Sequence, residues 1–101
     1  MTIAQLISSG KPGRSHAWRV ETHSCYRCRD ENIHCTTPYI ELWHYGTRML
    51  KWYVFDGGCV LVDWSIGHGS VSDQNGCNIA FRTLNLPYRY NRAGGAEIVE
   101  I

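Results

Sequence analysis

The stretch from Val60 to Tyr90, VLVDWSIGHGSVSDQNGCNIAFRTLNLPYRY, constrains the fold of this chain more than any other. A β-prone run over Cys59–Ile66 enters a turn flanked by Gly67 and Gly69. Ser70 can then cap a helix in which Cys77, Ala80, Phe81 and Leu84 fall at i, i+3, i+4 and i+7, a single apolar stripe. Asp73, three residues after Ser70, forms a shortened capping box and complements the positive end of the helix dipole. Leu86-Pro87 stops the helix, because the residue before a proline is pushed out of helical backbone space. The helix is therefore expected over about 71–85. Beyond it, Tyr88–Arg92, Ala93-Gly94-Gly95 and Ala96–Ile101 spell a closing hairpin.

Upstream, the apolar period is two. Trp18, Val20 and Thr22 share one face of a half-buried strand, with Arg19, Glu21 and His23 on the other. Pro38 precedes a second β-prone run, Tyr39–Tyr45, and Gly46-Thr47 is a turn. Arg48–Phe55 follows with Leu50, Trp52 and Val54 on one face, and Asp56-Gly57-Gly58 supplies the flexible backbone that a tight hairpin needs. In the next strand Val60, Val62, Trp64 and Ile66 are expected inward, Asp63 and Ser65 outward. At the N-terminus, Ile3, Leu6 and Ile7 follow Thr2 at helical spacing. A short helix to about Ser8 is expected, then breaker chemistry at Ser8–Gly13. Residues 1–15 thus suggest a loosely held helix and arm. Short connections favour antiparallel pairing. The expected fold is α+β, a single domain over 1–101 with a mainly antiparallel sheet packed on one main helix.

Composition limits the functional classes. Ten basic and nine acidic residues leave a net charge of +1, so nothing draws the whole molecule to nucleic acid or a membrane surface. No apolar run approaches the length of a membrane-spanning helix. The first residues carry neither the basic start nor the long apolar segment of a signal peptide. Five cysteines, an odd number, then suggest reduced thiols and a cytoplasmic protein. Four Trp, six Tyr and two Phe let so short a chain build a core from few, large side chains.

Three clusters carry candidate chemistry. The first is a knuckle: Cys25-x-x-Cys28, then Cys35, with His23 or His34 as the fourth ligand of a tetrahedral zinc site. It has no second Cys-x-x-Cys, and the competing account is reduced cysteines packed as small hydrophobes. The second is His68, Ser70, Ser72 and Asp73, the residue types of a nucleophile, a base and an orienting group. Helix capping already explains Ser70 and Asp73, and the segment lacks the pattern of a nucleophile elbow or phosphate loop. His68 alone is left without a structural role, either as a base or as a group assisting an anion at the helix N-terminus. The third is Arg82, Tyr88, Arg89, Tyr90 and Arg92, where aromatic and arginine side chains alternate as they do at interfaces and on base-stacking strands; the competing account is an amphipathic strand whose tyrosines cover the core edge and whose arginines pair with Glu97 or Glu100.

The segment Val62–Ser70 leading through Ser72-Asp73, then Tyr88-Arg89-Tyr90 and Gly94-Gly95, resembles small orphan proteins encoded by phages and other mobile elements. The likeness covers about the last 45 residues and no diagnostic motif. It implies a cytosolic setting and inhibition of a host factor. Together these features favour a non-enzymatic binding module that docks on a protein partner through an aromatic and arginine surface comprising Arg82, Tyr88, Arg89, Tyr90, Arg92 and His68. The alternatives are a zinc-stabilised nucleic-acid-binding module held by Cys25, Cys28, Cys35 and His23, and a small hydrolase or transferase using His68. A sheet edge carrying Tyr39–Tyr45 or Ala96–Ile101 could pair in a homodimer. No cofactor other than zinc is expected.

Overall fold

In a computed structural model of the chain, the described residues are 1–23, 38–55 and 58–101. The order is α1 (Ile3–Ser8), β1 (Gly13–Ser15), β2 (Trp18–His23), β3 (Tyr39–His44), β4 (Thr47–Phe55), β5 (Gly58–Trp64), α2 (Val71–Thr83), β6 (Tyr88–Asn91) and β7 (Glu97–Glu100). Strands β1 to β5 form one antiparallel sheet in sequence order, and β6 and β7 form a separate antiparallel pair. The α+β architecture expected from the sequence is the observed one. The closing hairpin, however, stands apart from the main sheet.

One face of the five-stranded sheet builds the core. Trp18 and Val20 of β2, Leu42 of β3, Leu50 and Trp52 of β4 and Leu61 of β5 are buried there, with Cys77, Ala80 and Phe81 from the predicted stripe of α2. Full burial of a side chain such as Phe81 contributes about 1.5–3 kcal/mol, so this short list holds most of the driving force. The N-terminal segment belongs to the core as well. Leu6 and Ile7 are 1% and 4% exposed, and Thr2 closes a capping box with Gln5 at the start of α1. The breaker-rich segment after α1 contains a further strand, β1, that the composition did not announce.

Around Val60–Val62 strand β5 faces the other way from the sequence expectation, whereas Asp63 faces outward as expected. Leu61 is buried, whereas Val60 and Val62 are 43% and 38% exposed. The cause is an irregularity in the β4–β5 register: Lys51 pairs with Asp63 but Trp52 pairs with Leu61, leaving Val62 as an extra residue. A bulge of one residue reverses which side chains face the core. A second irregularity, between Leu42 and Trp43, leaves Met49 unpaired, and both Met49 and Leu50 are buried in succession.

Helix α2 stops at Thr83, before the predicted end. Leu86 N donates to Phe81 O at 2.8 Å and Asn85 N to Arg82 O at 3.2 Å, with Asn85 at φ 54°. This is a Schellman closure in which asparagine takes the left-handed position. The small hairpin is held to α2 by amide side chains acting as a strand would. Asn78 Nδ2 donates to Tyr90 O at 3.1 Å, and Asn78 Oδ1 accepts from Tyr90 N at 2.8 Å. One turn earlier, Gln74 Oε1 accepts from Arg92 N. The backbone edge of β6 is thereby satisfied by a helix face.

Gly76 marks the closest approach of the two layers. A Cβ there would run into the six-membered ring of Trp18. In an exposed helix interior, Gly→Ala gains about 1 kcal/mol. Here Gly76→Ala is expected to cost on the order of 1–3 kcal/mol through overpacking. Urea denaturation checks this, and a stabilised variant would mean that Trp18 does not rest on α2.

Candidate functional site

The polar residues that converge are drawn from β3 and the start of α2. Ser70 is the N-cap of α2: its Oγ accepts from Asp73 N at 3.0 Å, and the Asp73 carboxylate answers by accepting from Ser70 N at 3.1 Å. The same carboxylate oxygen accepts from His68 N at 3.1 Å, which fixes the Gly67–Gly69 turn. The other oxygen lies 2.6 Å from His44 Nδ1. Both partners are buried, Asp73 at 2% exposure. Burial pushes the Asp73 carboxyl up, but the hydrogen bonds from His44, Ser70 and the His68 amide outweigh it and hold it below the usual 3.8.

His44 also meets a serine. Ser72 Oγ is 3.3 Å from His44 Nε2. An ionised carboxylate only accepts, so Nδ1 carries a hydrogen toward Asp73; in the neutral ring Nε2 is then an acceptor for the Ser72 hydroxyl. The imidazole is stacked on Trp18 at 4.0 Å and 6°, with the Tyr45 ring at 4.7 Å on it. Serine, histidine and aspartate are thus connected in the order that activates a serine hydroxyl. The first-turn amides of Val71 and Ser72 have no intrahelical partners and lie beside that hydroxyl in sequence.

The histidine in this cluster is His44, not His68. The His68 backbone amide serves Asp73, while its residue is exposed. The sequence signal for His44 is thin: it ends a β-run, and only the sheet register brings it opposite Trp18. The two cysteines in the described residues are poor nucleophiles. Burial and the nearby Asp73 charge push the Cys77 thiol up to about 12, and burial also raises Cys59. Cys25, Cys28, His34 and Cys35 lie outside the described residues.

The predicted Tyr/Arg strand divides. Tyr90 is a core residue at 1% exposure, its hydroxyl donating to Ile66 O at 2.5 Å, and so is not a surface ring. Tyr88 packs against Phe81 and Trp64. Arg92 Nε donates to Gly69 O at 2.7 Å, bracing the turn before α2. Arg92 is nevertheless exposed, as are Arg82 and Arg89, which lie beside a shallow cavity of about 210 Å³ that Asn78, Tyr88 and Ile101 complete.

A larger aromatic and charged surface covers the sheet face opposite the core. Ion pairs cross its strands, His23 Nε2 to Glu41 Oε1 at 2.7 Å and Arg48 to Glu41 at 3.0 Å and to Asp63 at 2.5 Å, while Arg19 and Glu21 pair along β2 at 3.3 Å. Rings lie among them. Arg19 sits over Trp43 at 5.0 Å, Lys51 over Tyr39 at 4.4 Å, His23 stacks on Tyr39 at 4.7 Å, and Tyr39 meets Tyr53 edge-on. Among the described residues, no helix packs on this face. Strand β3 lies at the sheet's centre, so Tyr39–His44 offers no edge for dimer pairing, whereas β7 lies at an edge of the small sheet.

Glu21, His23 and Glu41 each bring one potential metal-ligand atom within 4.8 Å of the others. Their chemistry is that of an ion-pair network. Arg19 and Arg48 already neutralise the two carboxylates. The 2.7 Å His23–Glu41 contact is also too short for two ligands flanking one zinc, which would stand about 3.3 Å apart at tetrahedral angles.

Comparison with protein-family models, with curated proteins and with solved structures finds no match.

The Asp73 junction makes a pH prediction. A carboxyl held below its ordinary value stabilises the fold above that value, and the contribution is lost as pH falls through the folded-state value. Stability is therefore expected to fall with acid below about pH 3.8. Asp73→Ala should cost about 3–5 kcal/mol near neutral pH and remove that part of the acid dependence. Urea midpoints measured across pH check both. A loss of under about 1 kcal/mol would be the cost of a cap alone.

Proposed function

We propose that this protein is a small non-enzymatic binding module that docks on a protein partner through the outer face of its five-stranded sheet, the face opposite the core. One observation carries the reading: Trp43, Tyr39 and Tyr53 stand on that face with cationic side chains seated over their rings. Trp, Tyr and Arg are the residues that dominate binding energy at interfaces, and rings braced in this way lose little entropy when covered. Exposed Phe55 and Val60 extend the apolar area at one end.

The charge pattern favours protein over nucleic acid. Arg19 and Arg48 are paired directly with Glu21, Glu41 and Asp63, and Lys51 stands opposite Glu41 and Asp63 in the sheet register. A polyanion needs a surface of one sign, whereas a protein surface with its own alternating charges can meet this one in register. The resemblance to mobile-element proteins makes a host protein the first class of partner to test.

A second reading, hydrolysis at Ser72, is supported by the Ser72–His44–Asp73 connectivity. A serine-directed fluorophosphonate probe separates it from the first. Labelling that disappears in Ser72→Ala would establish a reactive serine; absence of labelling in the native protein would leave the triplet as a structural tie between layers.

For the binding reading, Trp43→Ala is expected to weaken a captured partner by about 2 kcal/mol, some 30-fold. Arg82→Ala with Arg89→Ala should leave it within about twofold, a few tenths of a kcal/mol. The reverse ranking would move the interface to the α2–β6 side. Retention on single-stranded DNA that falls steeply with salt would replace the protein partner by nucleic acid.

A further inference from the structure

We propose that the cavity between the β1–β2 and β3–β4 turns is a binding site for a phosphate-bearing ligand with a flat ring, the chemistry of a nucleotide. The cavity holds about 690 Å³ and is lined by Arg14, His16, Ala17, Arg19 and Tyr45. That volume is within the ordinary range for small-molecule sites. Among the described residues no acidic side chain lines it, although the protein as a whole is nearly neutral.

Its cations are placed against their own repulsion. Arg14 and Arg19 are direct cross-strand partners in the β1–β2 pair. Like charges directly opposite one another destabilise a hairpin. Among the described residues Arg14 has no acidic partner, while Arg19 is held from behind by Glu21 and the Trp43 ring. Two guanidiniums presented together suit a phosphate group, which each can bind through paired N–H donors. His16 adds a third nitrogen donor or acceptor at the cavity wall.

The aromatic wall is equally specific. Tyr45 is 73% exposed, yet its ring is braced on His44 at 4.7 Å and its backbone N donates to Ala17 O at 2.8 Å. It is a fixed ring with open surface, the arrangement on which a base can stack. Backbone conformation singles out the same place. Three non-glycine residues among those described have φ in the left-handed region, and two of them, His16 at 54° and Tyr45 at 53°, line this cavity. Tyrosine seldom takes that conformation, histidine somewhat more often, and such strain gathers where side chains must be aimed.

Titration of the isotope-labelled full chain by NMR tests this, with AMP, adenosine and inorganic phosphate as probes. AMP should give saturable shifts centred on Arg14, His16 and Tyr45, with phosphate and adenosine each at least tenfold weaker. Arg14→Ala should weaken AMP at least tenfold. Tyr45→Asn, which tolerates the left-handed backbone, should weaken AMP but leave phosphate unchanged. A 5′-phosphorylated dinucleotide that binds tighter than AMP would identify a strand end as the source of the ligand, and equal binding a free nucleotide. The proposal is overturned if millimolar AMP gives no saturable shift at these residues, if its shifts follow all exposed arginines alike, or if Arg14→Ala, with its spectrum otherwise intact, binds AMP as the native protein does.

Discussion

Three N–H donors from two distant parts of the chain meet at the Asp73 carboxylate: the His44 ring, the His68 amide and the Ser70 amide. One side chain thereby ends the turn after β5, starts α2 and joins that helix to the central strand of the sheet. The layers approach so closely there that Gly76 rests on Trp18, whose ring in turn stacks on His44. A buried carboxylate without these partners would be costly to desolvate; with all of them it fixes a single arrangement of helix on sheet. The position of the core, and the orientation of the opposite sheet face, follow from that junction.

Local chemistry made much of this visible in the sequence. Ser70 and Asp73 announce a helix start because capping is a short-range matter, and the Cys77–Phe81 stripe is set by helical geometry alone. Thr2 announces α1 for the same reason. The misreadings are long-range. A two-residue period says that Val60 and Leu61 face opposite ways, but only the bulge opposite Lys51 and Trp52 decides which faces the core. His44 belongs with Ser72 and Asp73 because β3 is central, a fact of strand order that no window of sequence contains. Tyr90 looks like a surface ring by alternation with arginine, yet Asn78 pulls its strand against α2.

The two faces of the sheet thus have different tasks. The inner one is committed to packing, and His44, a polar side chain buried there, is spent on holding Asp73. The outer one carries rings and charges that no described helix covers, and the turns at one end of the sheet border a cavity lined mainly by basic and aromatic side chains. The proposed protein-binding face and the proposed anion site share Arg19, so occupation of one would be felt at the other through that side chain's pairing with Glu21 and Trp43.

The junction itself is tested most directly by a double-mutant cycle on folding stability, with His44→Ala, Asp73→Ala and the two combined. A buried, charge-assisted contact of 2.6 Å predicts a coupling energy of about 1.5 kcal/mol or more, within the 0.5–3 kcal/mol seen for contacting residues. Losses that add to within about 0.3–0.5 kcal/mol, as for independent sites, would contradict the account: the helix would then be held to the sheet by apolar packing alone, and Asp73 would be only a cap.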